Sequence, residues 1–74
     1  MICGDRLRET REAHNYSQQH IANVLHVSQR VYSNYEHNEV RISVDTLCAL
    51  AKYYNLSLDY LSGISDEIKE YPKH

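Results

Sequence analysis

The chain has 74 residues, a formal net charge of −2 and a pI near 6.2. This length allows one small domain, and the charge argues against a protein that coats nucleic acid regardless of sequence, which would be strongly basic. The two cysteines lie far apart in unlike surroundings, which predicts free thiols in a reducing cytoplasm. Because no apolar run fits a signal peptide or a membrane span of about 18 residues, we expect a cytoplasmic protein without a membrane partner.

Charge is distributed unevenly along the chain. Residues 43–74 carry five acidic and three basic side chains, whereas residues 1–42 carry five of each and four of the five histidines. The position of charges, and not only their sum, decides whether a surface attracts an anionic partner. A local DNA-binding surface in the first half of the chain is therefore compatible with the negative total.

Two helices are predicted at the N-terminal end. The first runs from about Asp5 to His14, and Asn15 ends it because asparagine tolerates the left-handed conformation. Ser17 is an N-cap for a second helix over residues 18–25. The apolar side chains of that helix lie on one side and its polar side chains on the other, namely Ile21, Ala22, Val24 and Leu25 against Gln19, His20 and Asn23.

Three further helices are expected over residues 29–37, 44–54 and 58–62. Each follows a serine N-cap, and each precedes a residue that readily adopts the left-handed conformation. The caps are Ser28, Ser43 and Ser57, and the stops are Asn38, Asn55 and Gly63. The short connections leave almost no room for strands, so the predicted fold class is all-α with five helices.

The predicted domain covers residues 1–63, and residues 64–74 form a C-terminal tail. The tail is expected either to be disordered or to support a dimer. In the second case Ile64, Ile68 and Tyr71 would form a short helical stripe against a partner subunit.

The segment from Ser17 to Glu36 has the pattern of a helix-turn-helix, in which the second helix presents its outer face to the major groove of DNA. Ala22 is small where two helices would cross closely, and Val27 is an apolar plug in the turn. The interior of the motif is expected to consist of four side chains: Ile21, Leu25, Val31 and Tyr35.

The outer face of the third helix carries hydrogen-bonding side chains. Gln29, Arg30, Ser33 and Asn34 fall within one arc with His37, and Val31, Tyr32 and Tyr35 fall on the other side. Glutamine and asparagine can pair bidentately with adenine, and arginine with guanine. We therefore predict that the first four of these residues contact bases, although most polar helix faces are only solvated.

From Arg6 to Gly63 the chain resembles the Cro/repressor-type (XRE-like) helix-turn-helix family of bacteria and their phages. The matching stretches are RLRETREAHNYSQQHIA, VSQRVYSNYE and LCALAKYYNLSLDYLSG. The resemblance implies a compact five-helix, lambda-repressor-like domain that binds double-stranded DNA. It also implies a transcriptional regulator, usually a dimer on a two-fold operator.

The resemblance implies phosphate contacts as well. Gln18 at the start of the second helix, with its neighbour Gln19, would contact a phosphate, and Gln18 would brace Gln29. Backbone amides at a helix N-terminus support such a contact because that end is positive. Arg41, in the loop after the third helix, would reach the DNA backbone. Tyr32 stands where relatives have an aliphatic residue, and we assign its hydroxyl to a phosphate.

Arg11 and Glu36 match a pair that often forms an ion pair between the first and third helices of the family. Their expected role is structural. Two departures affect the turns, since relatives usually have glycine at the positions of His26 and Asn38. A positive φ at His26 would cost roughly 1 kcal/mol.

Other functions find less support in the sequence. The histidines have no metal-site spacing, and no catalytic motif is present, so we expect neither an enzyme nor a metal or cofactor. No small-molecule effector site is evident. A homodimer would form through the fifth helix and the tail, and the simplest mechanism is repression by covering a promoter. The alternative is a helix-turn-helix protein-interaction module or antitoxin component without strong DNA specificity.

Overall fold

The computed structural model describes residues 3–72, and within this range it contains five helices and no strand. The helices are α1 Cys3–Ala13, α2 Gln18–Leu25, α3 Gln29–Glu36, α4 Val44–Tyr54 and α5 Leu58–Ser62. The predicted all-α fold class is confirmed. None of these helices is long and apolar enough to cross a membrane.

Serine caps begin four of the helices. The hydroxyl of each cap accepts a hydrogen bond from the backbone N–H three residues later, at 3.0 to 3.2 Å, which satisfies an otherwise unpaired donor of the first turn. The caps are Ser17, Ser28, Ser43 and Ser57. The chain leaves its helices through left-handed residues with φ between 56° and 88°: Asn15, His26, Asn38, Asn55 and Gly63.

The first helix begins at Cys3, two residues before the predicted start, and Gly4 lies inside it. A Cβ atom at Gly4 would collide with the backbone carbonyl of Glu36 at the end of α3. The backbone N–H of Gly4 also donates to the Asn38 side chain at 3.1 Å. A glycine thus allows α1 to approach the end of α3 closely, and it does not interrupt the helix.

The core lies between all five helices. It consists of Leu7, Ile21, Ala22, Tyr32, Leu47, Leu50, Ala51, Tyr54 and Leu61. The expected interior position of Val31 is wrong: this side chain is 37% exposed, whereas Tyr32 is fully buried. Tyr32 and Glu36 are four residues apart and so share one face of α3, the face that α1 and α2 cover. Val31 lies about 100° away from that face.

The tail residues 64–72 are not helical, so the predicted helical stripe is wrong. The tail instead runs back over the domain. The backbone N–H of Ser57 donates to the Lys69 carbonyl at 2.8 Å, and Tyr71 packs against the core while Ile64 and Ile68 stay exposed. Residues 73 and 74 lie outside the described range.

Arg6 fixes the start of the tail to α1 and α5. Its guanidinium donates to the carbonyls of Tyr60 and Ser65 at 2.8 and 3.1 Å and to the Asp66 carboxylate at 2.8 Å. It also lies 4.2 Å from the centre of the Tyr60 ring. One cation thereby joins three segments that are distant in the sequence.

Candidate nucleic-acid interface

The α2–α3 turn positions the third helix. Val27 N–H donates to the Ala22 carbonyl at 3.0 Å, and His26 adopts φ 59° and ψ 40° at the end of α2. Ala22 is fully buried where α2 and α3 pack against each other. The small side chain and the left-handed turn together allow the two short helices to cross closely.

The inner side of α3 is held by a buried carboxylate. Glu36 is only 2% exposed, and it accepts hydrogen bonds from Arg11 Nε at 2.7 Å and from Arg11 Nη2 at 3.2 Å. The pair expected between the first and third helices is therefore present and bidentate. Arg11 also donates to the Tyr16 carbonyl at 2.9 Å, so it joins α1, the α1–α2 loop and α3.

The same carboxylate holds the start of α2. Gln18 Nε2 donates to Glu36 Oε1 at 3.0 Å, and Gln29 Nε2 donates to Gln18 Oε1 at 3.4 Å. A continuous chain of side-chain contacts thus runs from Arg11 through Glu36 and Gln18 to Gln29. Because each of the inner bonds involves a charged group, they are shorter and stronger than ordinary amide contacts, and they restrict the orientation of Gln29.

Burial alone would raise the pKa of Glu36, but the hydrogen bonds from Arg11 and Gln18 hold it below its usual value. The hydrogen bond with Glu36 raises the pKa of Arg11. Both shifts favour the charged forms, so the pair remains ionised in the folded protein.

Tyr32 cannot contact a phosphate as predicted, because its side chain is fully buried. Its hydroxyl lies beside Glu36 outside hydrogen-bonding geometry and has no partner among the described residues. Burial, followed by the nearby Glu36 carboxylate, raises the pKa of Tyr32 far above its ordinary value. The phosphate assignment for Tyr32 is therefore wrong, since the ring is needed between α1, α2 and α3.

The outer face of α3 is accessible. Gln29 and Arg30 are exposed, and Ser33 and Asn34 are half-buried. Within residues 3–72, Arg30 and Asn34 form no side-chain hydrogen bond or ion pair, so their donors are available to a partner molecule. The four residues predicted to contact bases therefore lie together on the side of α3 that faces away from the core.

The residues predicted to contact phosphate lie at two places. Gln18 and Gln19 are in the first turn of α2, where Gln19 donates to Asn23 at 2.8 Å. Arg41 is exposed in the loop between α3 and α4. Across the described part of the chain Arg41 has no carboxylate partner, so its charge remains available to an anion.

His37, which follows the last residue of α3, was not assigned a role from the sequence. Its Nδ1 lies 2.8 Å from the Ser33 carbonyl and 3.3 Å from the Ser33 hydroxyl. Its ring is exposed on the same side of α3 as Ser33. The seven-residue spacing from Arg30 was the signal available in the sequence, because residues seven apart share one helix face.

A second histidine cluster lies away from α3. Tyr16 is stacked between the rings of His14 and His20, with centroid distances of 5.6 and 4.5 Å. His20 Nε2 also hydrogen-bonds with the Tyr53 hydroxyl at 2.8 Å. These rings join the α1–α2 loop to α4. Nowhere in residues 3–72 do three metal-ligating side chains come together as a metal site requires.

The chain matches known proteins over most of its length. Residues 7–61 match the family model described as helix-turn-helix. It is 39% identical over 70 residues to the HTH-type transcriptional regulator ImmR of Bacillus subtilis, covering 95% of this chain and 54% of that protein. It is 33% identical over 67 residues to the uncharacterized HTH-type transcriptional regulator YobD of the same organism, covering 90% and 59%. The chain thus spans little more than half the length of these relatives.

Two solved structures share the fold. A transcriptional regulator from Listeria innocua superposes with a TM-score of 0.80 and 28% identity, over 90% of this chain and 63% of that one. The P22 c2 repressor, in complex with a synthetic operator, superposes with a TM-score of 0.77 and 28% identity, over 88% and 98%. The sequence motifs, the five helices and these matches agree. The chain belongs to the XRE-type helix-turn-helix family, a family of transcriptional regulators and not of enzymes.

Proposed function

We propose that the protein is a sequence-specific transcriptional regulator of the cytoplasm, a repressor that inserts α3 into the major groove of DNA. The observation that carries this proposal is the contact chain from Arg11 through Glu36 and Gln18 to Gln29. It fixes one side of α3 in the domain and leaves free hydrogen-bonding groups on the other. The family membership and the operator in the P22 c2 repressor structure support the same conclusion.

In this proposal four residues contact base edges: Gln29, Arg30, Ser33 and Asn34. Arg30 pairs with guanine through N7 and O6, and the amides pair with adenine. Gln18, Gln19 and Arg41 contact phosphates and set the register of the domain on the duplex.

The operator is expected to be two-fold symmetric, because the protein binds as a homodimer through α5 and the tail. The half-sites then lie about one helical turn, roughly 34 Å, apart. The exposed tail residues Ile64 and Ile68 provide apolar surface for this contact. The protein would repress by occupying a promoter, without a small-molecule effector.

Selection of bound sequences from a pool of random duplexes tests the proposal. We expect enrichment of a two-fold symmetric sequence whose affinity falls steeply as salt rises, since phosphate contacts release counterions. If no sequence is enriched at low salt, the proposal is wrong. The protein would then act as a protein-interaction module or antitoxin component, a role that its net charge of −2 favours.

Substitution of Gln29 by alanine tests the base contacts. The change should cost roughly 1–3 kcal/mol of binding free energy and relax the preference at one base position. The melting temperature should stay nearly unchanged because Gln29 is exposed. Gln19→Ala is the matched control: it should weaken binding to all duplexes alike, as the loss of a phosphate contact does.

A further inference from the structure

His37 adds an ionisable group to the outer face of α3. The helical hydrogen-bonding pattern continues to this residue, since its backbone N–H donates to the Ser33 carbonyl at 3.0 Å. His37 lies seven residues after Arg30, which places the two side chains on one face about 10.5 Å apart along the helix axis. Arg30 is otherwise the one basic residue of α3.

The contact with Ser33 fixes the tautomer of the His37 ring. A carbonyl oxygen only accepts hydrogen bonds, so the Nδ1 atom at 2.8 Å from the Ser33 carbonyl carries a proton. The second ring nitrogen, Nε2, makes no hydrogen bond within the described residues. Protonation of the ring therefore places a new N–H donor at Nε2, and the negative end of the α3 dipole favours the added charge.

The charged groups around His37 leave it available. It forms no ion pair with any described carboxylate. Glu36, its neighbour in the chain, points inward to Arg11 at 2.7 Å. Glu39 is exposed two residues later, and Arg30 is two helical turns away, a distance at which exposed charges are largely screened by salt.

We propose that His37 is a proton-dependent DNA contact, in which the protonated Nε2 donates to a phosphate oxygen. The proposal rests on the proposed DNA-binding function. The first residues of a recognition helix contact base edges, whereas its far end emerges towards the backbone, so a phosphate is the partner that suits His37. The complex then holds one proton more than the free protein, so affinity rises as pH falls and declines as pH rises.

The test uses the tightest duplex selected from the random pool and compares affinities at about pH 8 and about pH 6, across which a histidine side chain gains its charge. The wild-type protein should bind about three- to tenfold more tightly at the lower pH, the equivalent of one net hydrogen bond. His37→Gln should bind like the wild type at the higher pH and lose this gain.

His14→Gln is a matched control. His14 is exposed, and its Nδ1 also lies 2.8 Å from a carbonyl four residues earlier, that of Thr10, but its ring stacks on Tyr16 and Tyr54. This variant should keep the wild-type response. A phosphate contact also predicts a salt dependence, plotted as log affinity against log salt concentration, that is steeper by about 0.9 at the lower pH in the wild type but not in His37→Gln.

The outcomes separate the two proposals. If the wild type binds a selected duplex but His37→Gln keeps the full pH response, the role of His37 is overturned while the DNA-binding function stands. A pH response lost in His37→Gln without any change in the salt dependence would overturn the phosphate assignment. If no duplex is selected, both proposals fail. Melting curves at both pH values check that each variant is folded.

Discussion

The helices α3 and α4 are both anchored in the core, but by different chemistry. The inner side of α4 is apolar and contributes Leu47, Leu50, Ala51 and Tyr54. The inner side of α3 contributes Tyr32 and Glu36, and a bidentate ion pair with Arg11 holds it. Apolar burial is non-directional, whereas a bidentate pair restricts both distance and angle. The helix that presents free side chains on its outer face is therefore the helix whose rotation is fixed by directional contacts.

Loss of Arg11 should have the largest effect. Arg11→Met leaves the buried Glu36 carboxylate without its cation, which should cost about 3–5 kcal/mol of unfolding free energy. Denaturant titration measures this loss. Arg8→Met is the control, because Arg8 is exposed and its pair with Asp5 at 3.5 Å is a surface pair worth about 1 kcal/mol at most.

A double substitution separates stability from orientation. Arg11→Met with Glu36→Leu removes both charges, so stability should return to within about 1 kcal/mol of the wild type. DNA affinity should not return, because Gln18 loses the carboxylate that holds it beside Gln29. A double variant that binds DNA as tightly as the wild type would show that the contact chain does not orient α3.

Leu50→Ala is the corresponding change in α4. Leu50 is fully buried, and its truncation should cost about 2–5 kcal/mol through lost burial and the resulting cavity. Because α3 packs on α1 and α2, the folded fraction should keep its duplex preference. A changed base preference in a binding selection with Leu50→Ala would contradict the contrast between the two helices.

Acid should weaken α3 before α4. The folded pKa of Glu36 is depressed, so its contribution to stability is complete above the unfolded pKa of about 4.3. That contribution is lost as the pH falls through the lower folded value. Denaturant titrations over this range should show a smaller loss in the double variant at Arg11 and Glu36, whereas Leu50→Ala should show the wild-type loss.

The helix ends of this fold were predictable because their signals are local. A serine cap such as Ser28 acts on an N–H three residues away, and Asn55 ends α4 by its own backbone conformation. The outer face of α3 was predictable for the same reason, since the period of one helix separates Gln29 and Arg30 from the core side.

The inner face of α3 depended on information from other helices. Tyr32 and Val31 are both plausible interior residues, and the approach of α1 and α2 decides in favour of Tyr32. Gly4 looks like a helix breaker until the closeness of the α3 carbonyls is known. Arg6 likewise has three oxygen partners that lie more than 50 residues away in the chain. No local pattern in the sequence carries these distances.

The turn before α3 gives the smallest expected effect. His26 adopts φ 59°, a left-handed conformation that costs a residue with a side chain roughly 1 kcal/mol. His26→Gly should therefore stabilise the domain by about 1 kcal/mol or less, because the more flexible unfolded chain offsets part of the gain. Thermal melts measure the difference, and Asn55→Gly, at φ 56° after α4, should gain less because asparagine tolerates this conformation. DNA affinity should remain unchanged in His26→Gly if Arg11 and Glu36 set the orientation of α3. A more stable variant with weaker DNA binding would instead assign part of that orientation to the turn.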